Sequence, residues 1–216
     1  MYVDRNGEPL GSLPADQYVR IPNENQKREW LEQAARLIIL SCDGDPDKDE
    51  HYKGTPDRFA DMFLEEFIPN GTIKQALEQM VVEETYDQMI VVRDIAIRSF
   101  CPHHLLPWFG RATVGYIPDG STVGLSKITR AIEAVGRGPK LQEAATDSIV
   151  KAMDEVLHPL GSACTIEAVH MCTLMRGVKT ELQKFTTSAN SGVFRDKPET
   201  RQEFLTLFSR GQSLSW

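Results

Sequence analysis

Phe100-Cys101-Pro102-His103-His104 is the stretch around which the chain is organised, because it places a thiol and two imidazoles within four residues. Thiolate sulfur and imidazole nitrogen are ligands that Zn²⁺ prefers in proteins. The spacing of Cys101 and His104 allows a tight turn to direct both side chains at one ion. Because Pro102 fixes its own φ and biases Cys101 toward an extended conformation, the stretch is predicted to end a strand and enter a stiff turn.

A second pair of candidate ligands, His170 and Cys172, lies much later in the chain. If this segment is a strand, both side chains project from the same face, since side chains alternate along a strand. Cys101, His104 and Cys172 would then form a Cys₂His set, with His170 or His103 left over. Three protein ligands with an open fourth position are typical of a catalytic zinc site.

The alternative interpretation is that Cys101 and Cys172 are buried thiols and that the histidines only pack against their neighbours. Free cysteine is among the most buried residue types, so this holds for a single cysteine considered alone. However, three of the five histidines and two of the four cysteines fall in these two short segments. That clustering favours a metal site.

Composition limits the class of protein. The chain has 216 residues, of which 41% are hydrophobic, and a net charge of −7, so one domain of ordinary size is predicted. The acidic charge argues against a general nucleic-acid or membrane binder, and any anionic ligand would need a local basic cluster. The absence of a membrane-length apolar run, of a signal-peptide core and of a disulfide framework predicts a cytoplasmic protein.

Hydrophobic periodicity predicts a chain that combines helices with an antiparallel sheet. One N-terminal helix begins near Asn25, and a second begins at Thr55 as N-cap with Pro56 as its first helical residue. The later elements are predicted as strand, strand, helix, helix, strand, strand and short final helix, over residues 89–97, 111–117, 126–137, 140–157, 164–174, 179–188 and 198–208. Helices would cover one face of the sheet, and its open edges could pair around a ring of subunits.

The first of these core helices has a candidate anion site at its start. Ser126 is the predicted N-cap, and free N–H groups at such a terminus attract anions. Lys127 and Arg130 lie on one face near that end, and Arg176 follows Cys172 by four residues. If the strands lie side by side, these bases could converge on a phosphate near the metal. The alternative is a capped helix with ordinary surface bases, and Arg58 alone is likewise typical of a surface arginine.

Gln142 and Glu143 lie at the start of the second core helix. A carboxylate placed there can accept two parallel N–H bonds, and guanine offers this pair at N1 and at its 2-amino group. Most such pairs on helices face solvent, so the two residues do not identify a guanine site by themselves.

Taken together and in order, the motifs of the chain resemble those of the GTP cyclohydrolase I family. The resemblance covers roughly residues 25 to 210, and the combination is highly specific. The motifs are GTPDRFADMF in the N-terminal helix, then CPHHLLPWFG, YIP, GLSKITR, LQE, AVHMC, MRG and TSANSGVFRDKPETRQEFL.

The resemblance implies an α+β tunnelling fold, or T-fold, assembled into a ring-like homo-oligomer that is a decamer in family members. We therefore expect a flexible N-terminal arm over residues 1–24, an N-terminal helical region over 25–82 and a T-fold catalytic domain over 83–216. The resemblance further implies that Cys101, His104 and Cys172 hold zinc. The implied reaction converts GTP to formate and 7,8-dihydroneopterin triphosphate.

Roles for other residues are also implied by the resemblance. Glu143, helped by Gln142, would hold guanine, and Ser126 would contact the ribose. His103 and His170 would transfer protons. The triphosphate would be held by four bases, some of them from a neighbouring subunit: Lys127, Arg130, Arg176 and Arg58.

Three positions depart from the family pattern. Pro102 stands where a glutamate is usual, Ala144 where a basic residue follows Gln-Glu, and Asp61 where a lysine is usual. The last two weaken the positive field expected around the nucleotide. They keep two alternatives open: a catalytically idle T-fold protein that binds another purine or pterin, and a related enzyme with a different substrate. An active enzyme is favoured because the three implied zinc ligands and both proton-transfer histidines are present.

Overall fold

The structure is a computed structural model that describes residues 2–3, 19–20, 22–83, 85–179 and 183–209. The chain separates into two compact units, Met1–Ile68 and Pro69–Trp216. The three regions expected from the sequence, over residues 1–24, 25–82 and 83–216, stay a prediction. Most of the expected N-terminal arm lies outside the described residues.

The N-terminal unit is mainly helical in its described part. Its elements are β1 (Tyr2–Val3), β2 (Val19–Arg20), α1 (Glu24–Ser41), α2 (Thr55–Met62) and a π-helix (Phe63–Phe67). β1 pairs antiparallel with β2. α1 begins at a capping box, in which the side chains of Asn23 and Gln26 each accept a hydrogen bond from the backbone N–H of the other.

α2 begins one residue earlier than the sequence predicts. Gly54, not Thr55, is its N-cap, with a φ of +69° that glycine adopts without steric cost. The Thr55 hydroxyl accepts a hydrogen bond of 2.8 Å from Arg58. Because Gly54 already takes the cap position, the predicted capping role of Thr55 is wrong.

The second unit contains the main sheet and the other helices. In chain order its elements are α3 (Ile73–Glu78), β3 (Val81–Glu83), β4 (Ile90–Phe100), β5 (Pro107–Ile117), β6 (Ser121–Val123), α4 (Leu125–Gly136), α5 (Gln142–Leu157), β7 (Gly161–His170), α6 (Met171–Leu174), β8 (Lys184–Asn190), α7 (Gly192–Asp196) and α8 (Pro198–Ser209). From β4 to α8 the predicted order of strands and helices is confirmed, with β6, α6 and α7 as short additions, and β3 was not among the predicted strands. Across the described ranges, none of the helices combines the length and apolar character that crossing a bilayer requires.

The main sheet is antiparallel and has the strand order β4-β5-β7-β8. β5 and β7 pair from Ile117 with Gly161 at one end to Trp108 with His170 at the other. β3 and β6 form a separate two-stranded pair. β4 and β8 are therefore the outer strands of the main sheet.

One face of this sheet packs against α4 and α5, which form the main core with it. Ile132 and Met153 on these helices share one buried cluster with Val114 and Ile166 on the sheet. All four side chains are at most 1% exposed. This face agrees with the predicted layer of helices over an antiparallel sheet.

The C-terminal helices cover part of the opposite face, which the sequence analysis did not predict. Phe194 of α7 and Phe204 of α8 form a second buried cluster with Ala163 of β7. A Cβ atom added to Gly115 of β5 would lie 2.7 Å from the Phe204 ring, which is too close. The ring can therefore pack against the sheet only because residue 115 is a glycine. The prediction that helices cover only one face is wrong here, because α8 folds back over the strands.

Candidate active site

The first half of the site is the turn that joins β4 to β5. The Cys101 N–H donates to the Leu106 carbonyl, and the Leu105 N–H donates to the Cys101 carbonyl, each at 2.9 Å. Leu105 adopts a left-handed φ of +51° to close the turn. The predicted strand end and stiff turn at Pro102 are therefore confirmed.

The second half of the site lies where β7 ends. The prediction of one strand continuing through Cys172 is wrong: β7 ends at His170 and a helical turn, α6, follows. The last pair between β5 and β7 joins Trp108 to His170, so β7 loses this neighbour here. The Thr173 hydroxyl donates to the His170 carbonyl at 3.0 Å and stabilises the turn. His170 and Cys172 therefore do not project from one strand face.

The two halves bring together a Cys-His-Cys cluster. One potential ligand atom from each of Cys101, His104 and Cys172 lies within 4.8 Å of the other two. Two sulfurs and one nitrogen at this separation fit a single Zn²⁺, whose bonds to such atoms measure about 2.0–2.3 Å. Burial raises the pKa of the Cys172 thiol, and the neighbouring Cys101 raises it further. Metal binding here would therefore release thiol protons.

His103 and His170, the histidines left over from this cluster, lie in different surroundings. His103 is exposed on the turn, and its Nδ1 lies 3.5 Å from the sulfur of Cys101. The His170 ring stacks on Trp108, with centroids 5.6 Å apart and an interplanar angle of 13°. Burial lowers the pKa of His170, although Glu143 partly opposes this shift. The neutral imidazole is therefore favoured at neutral pH.

A cavity of about 300 Å³ joins these groups, which is within the size range of small-molecule sites. Six of the predicted site residues line it: Cys101, His103, Gln142, Glu143, His170 and Cys172. The structure thus brings two candidate zinc ligands, both candidate proton-transfer histidines and the candidate guanine carboxylate to one space.

Gln142 does not present its carboxamide to this cavity as a free group. Its side chain is 0% exposed, and its Nε2 donates to the carbonyls of Ile166 and Phe185 at 3.0 Å each. The Thr187 hydroxyl oxygen accepts from the same nitrogen at 3.1 Å. The carboxamide therefore forms its hydrogen bonds inside the protein, and the implied help of Gln142 in holding guanine stays a prediction.

Lys127 and Arg130 lie together, but outside the cavity. Their side chains donate to the same oxygen, Gln79 Oε1, at 3.0 and 3.1 Å, and neither residue lines the cavity. Ser126 is exposed on the first turn of α4. Its predicted role as N-cap is wrong, because the helix already begins at Leu125 and Gly124 is the cap.

The two remaining bases lie in different units. The Arg176 guanidinium donates to His104 Nε2, since arginine has no acceptor atom. This contact places Arg176 beside a candidate zinc ligand. Arg58 lies in the N-terminal unit, where it donates to the Lys53 carbonyl at 3.1 Å as well as to Thr55.

Two of the three departures from the family pattern have local explanations. Asp61 forms an ion pair with Arg28 on the surface of the N-terminal unit. Pro102 lies in the exposed turn after β4, where its fixed φ suits the tight bend. Nothing in the structure explains Ala144, which is exposed on α5.

Lys140 is a cavity residue that the sequence analysis did not single out. It lines the same cavity as Glu143, and burial lowers the pKa of its ammonium group. Its backbone carbonyl accepts a 2.9 Å hydrogen bond from the indole N–H of Trp108. The available signal was its position just before Gln142 and Glu143, but a lysine before a helix is usually a surface residue.

Comparison with known proteins gives one consistent result. A family model described as GTP cyclohydrolase I matches residues 31–209. GTP cyclohydrolase 1 of Chlorobaculum tepidum is 46% identical over 207 residues, covering 94% of this chain and 83% of the relative. The Bacillus subtilis (strain 168) protein of that name is 41% identical over 184 residues, covering 85% and 96%. The Rattus norvegicus protein of that name is 39% identical over 211 residues, covering 94% and 86%.

Proposed function

Because the chain belongs to the GTP cyclohydrolase I family, we propose that the cavity described above is the active site of this activity. The enzyme converts GTP to 7,8-dihydroneopterin triphosphate and formate. The observation that supports the location is that Cys101 and Cys172, two members of the Cys-His-Cys cluster, line one cavity together with Glu143 and His170. Each of these groups has a distinct part in hydrolysing and rearranging a guanine nucleotide.

Cys101, His104 and Cys172 would hold the metal ion. The support for zinc is the donor set itself, since two thiolates and one imidazole suit this ion and leave a fourth position open. When bound, Zn²⁺ supplies Lewis-acid activation of water at neutral pH, which hydrolysis at C8 of guanine requires.

Glu143 would hold the guanine base. It lines the cavity, and its carboxylate has no hydrogen-bond partner among the described residues. A carboxylate accepts the guanine N1–H and one 2-amino hydrogen in parallel, and such charge-assisted bonds are stronger than neutral ones. This orientation would present the imidazole ring of guanine to the cluster.

His103 and His170 would move protons during ring opening and the later rearrangement of the sugar, because imidazole exchanges protons near neutral pH. Ser126 would contact the ribose. Binding the triphosphate far from the reacting atoms would position the substrate. The bases proposed for this task are Lys127, Arg130, Arg176 and Arg58.

A ring-like T-fold homo-oligomer, with the decamer as the expected size, would complete the site. Two observations support the assembly: β4 and β8 are outer strands that could pair with neighbours, and Lys127 and Arg130 do not line the cavity of their own chain. In a ring, these bases would serve the cavity of the adjacent subunit. Light scattering should therefore give a mass well above that of one chain, and a monomer with full activity would contradict this proposal.

We also place the enzyme in the cytoplasm. All four cysteines are free, as expected in a reducing compartment. GTP is its proposed small-molecule partner, and the net charge of −7 argues against general binding to nucleic acid or to membranes.

Incubation with GTP is the direct test of the proposed function. Zinc-loaded protein should release formate and give a pteridine that becomes fluorescent after oxidation. A matched preparation of His170→Ala should retain metal but form little product. Absence of product from the parent protein with its metal bound would instead favour an idle or divergent T-fold protein that binds another purine or pterin.

A further inference from the structure

We propose that Gln142 is a positioning residue, which fixes the ring orientation of His170 and the nitrogen that carries its proton. This rests on the proposed function, because it serves the proton-transfer role of His170. Gln142 Oε1 lies 2.8 Å from His170 Nε2, and the Gln142 side chain is fully buried.

The orientation of the Gln142 carboxamide is set by its backbone partners. The carbonyl oxygens of Ile166 and Phe185, each 3.0 Å from Nε2, can only accept hydrogen bonds. The NH₂ group must therefore face them, and the opposite arrangement would set an oxygen against two carbonyl oxygens. The amide oxygen is left to face His170.

The threonines beside the carboxamide support the same orientation. The Thr146 hydroxyl donates to the backbone carbonyl of Gln142 at 2.8 Å and lies 2.7 Å from the Thr187 hydroxyl. Since the Thr146 hydrogen is used, Thr187 donates to Thr146. The lone pairs of the Thr187 oxygen then face Gln142 Nε2 at 3.1 Å, where they can share one of the two amide hydrogens with a carbonyl oxygen. Each member of this buried network has a partner, which favours one rigid arrangement.

The tautomer of His170 follows from this arrangement. An amide oxygen accepts hydrogen bonds and never donates them, so Nε2 of the imidazole carries the hydrogen. In the neutral ring Nδ1 then holds the free lone pair, and Nδ1 is the atom that can take up a proton. Stacking on Trp108 and the edge contact with Phe185, at centroid distances of 5.6 and 5.7 Å, hold the ring plane.

Gln142 also fixes where His170 lies relative to the guanine carboxylate. Glu143 follows it directly at the start of α5, and the carboxamide bonds α5 to β7 and β8 through the contacts given above. The residue that orients the imidazole thus also anchors the helical turn that carries Glu143. Both groups line the same cavity, so this anchor sets the position of the substrate against the proton-transfer group.

Gln142→Met tests the proposal, since methionine has similar length and cannot form these hydrogen bonds. Positioned proton transfer contributes about 10²–10⁴-fold to a rate, so kcat should fall at least about 10-fold. The zinc content should stay near the parent value, because Gln142 does not belong to the Cys-His-Cys cluster. Thr187→Val is the matched control: it removes one acceptor of the same nitrogen but leaves the bond to His170, and its kcat should remain close to that of the parent.

The ¹⁵N NMR spectrum of histidine-labelled protein gives a readout that does not require activity. The chain has five histidines, and His170→Ala identifies the signal of His170. In the parent protein this neutral ring should show a protonated Nε2 and an unprotonated Nδ1, and Gln142→Met should lose that pattern while Thr187→Val keeps it. A parent ring protonated at Nδ1 would overturn the proposal even if Gln142→Met failed to fold. Equal losses of kcat in both variants, with an unchanged His170 signal, would also overturn it, whereas failure of the proposed function would leave the spectrum as expected.

Discussion

Replacing Cys172 with alanine is expected to empty the metal site and to abolish turnover of GTP. The same result is expected for Cys101→Ala and His104→Ala, because each change removes one of three ligand atoms that lie within 4.8 Å of one another. Two remaining protein ligands are too few for a zinc site, which normally has three or four. Elemental analysis should give about one zinc per parent chain and almost none in the variants. Fluorescence of the oxidised product measures turnover.

Histidine variants provide the control for this result. His170→Ala should retain most of the zinc while losing rate, because Nε2 of His170 is bonded to Gln142. His103→Ala should behave in the same way, since His103 lies beside the Cys-His-Cys cluster and is not one of its members. A His170→Ala variant without metal, together with a Cys172→Ala variant that keeps it, would refute the ligand assignment.

The Cys-His-Cys cluster could be predicted from the sequence because its residue types are few in this chain and are concentrated in two short segments. The turn after β4 could be predicted because Pro102 restricts the backbone locally. The path of the chain from His170 to Cys172 could not be predicted, because β7 ends where its pairing with β5 ends. The residue types near His170 do not reveal where β5, the neighbouring strand, begins. The segment Val169-His170-Met171-Cys172 is itself compatible with a longer strand.

The buried position of Gln142 could not be predicted from the sequence either, for a related reason. Its partners on β7 and β8 are separated from it by between 24 and 45 residues. A glutamine at the start of a helix usually faces solvent, so only the tertiary structure shows that this one is buried. The position of Phe204 could not be predicted either. Its ring packs against the sheet where Gly115 has no side chain to block it.

The first residue of each helix was predicted less accurately than the presence of the helix. Thr55 and Ser126 are favourable cap residues, yet Gly54 and Gly124 occupy the cap positions. Intrinsic preference at a cap is a difference of about 1 kcal/mol or less between such residues, which the path of the preceding chain can override. The helical periodicity of α4 and α5 depends instead on many apolar side chains and was therefore predicted correctly.

Glu143→Gln is expected to cause a large loss of kcat/KM for GTP. In the proposed complex the carboxylate accepts two hydrogen bonds from guanine, at N1 and at the 2-amino group. Glutamine keeps the size of the side chain, but if its carbonyl accepts from the 2-amino group, its own N–H₂ faces the N1–H. A buried donor without its partner costs about 1–3 kcal/mol, so kcat/KM should fall by about 5- to 150-fold. Steady-state assays with GTP measure this change.

Glu133→Gln separates recognition of guanine from a general effect of removing negative charge. Glu133 is exposed on α4 and has no proposed ligand, so this variant should retain the parent kcat/KM. Zinc content and oligomer mass should be unchanged in both variants, because Glu143 belongs neither to the Cys-His-Cys cluster nor to the buried network of Gln142. Small and equal effects of the two substitutions would mean that Glu143 is a solvated helix residue, and guanine would then have to be bound by other groups.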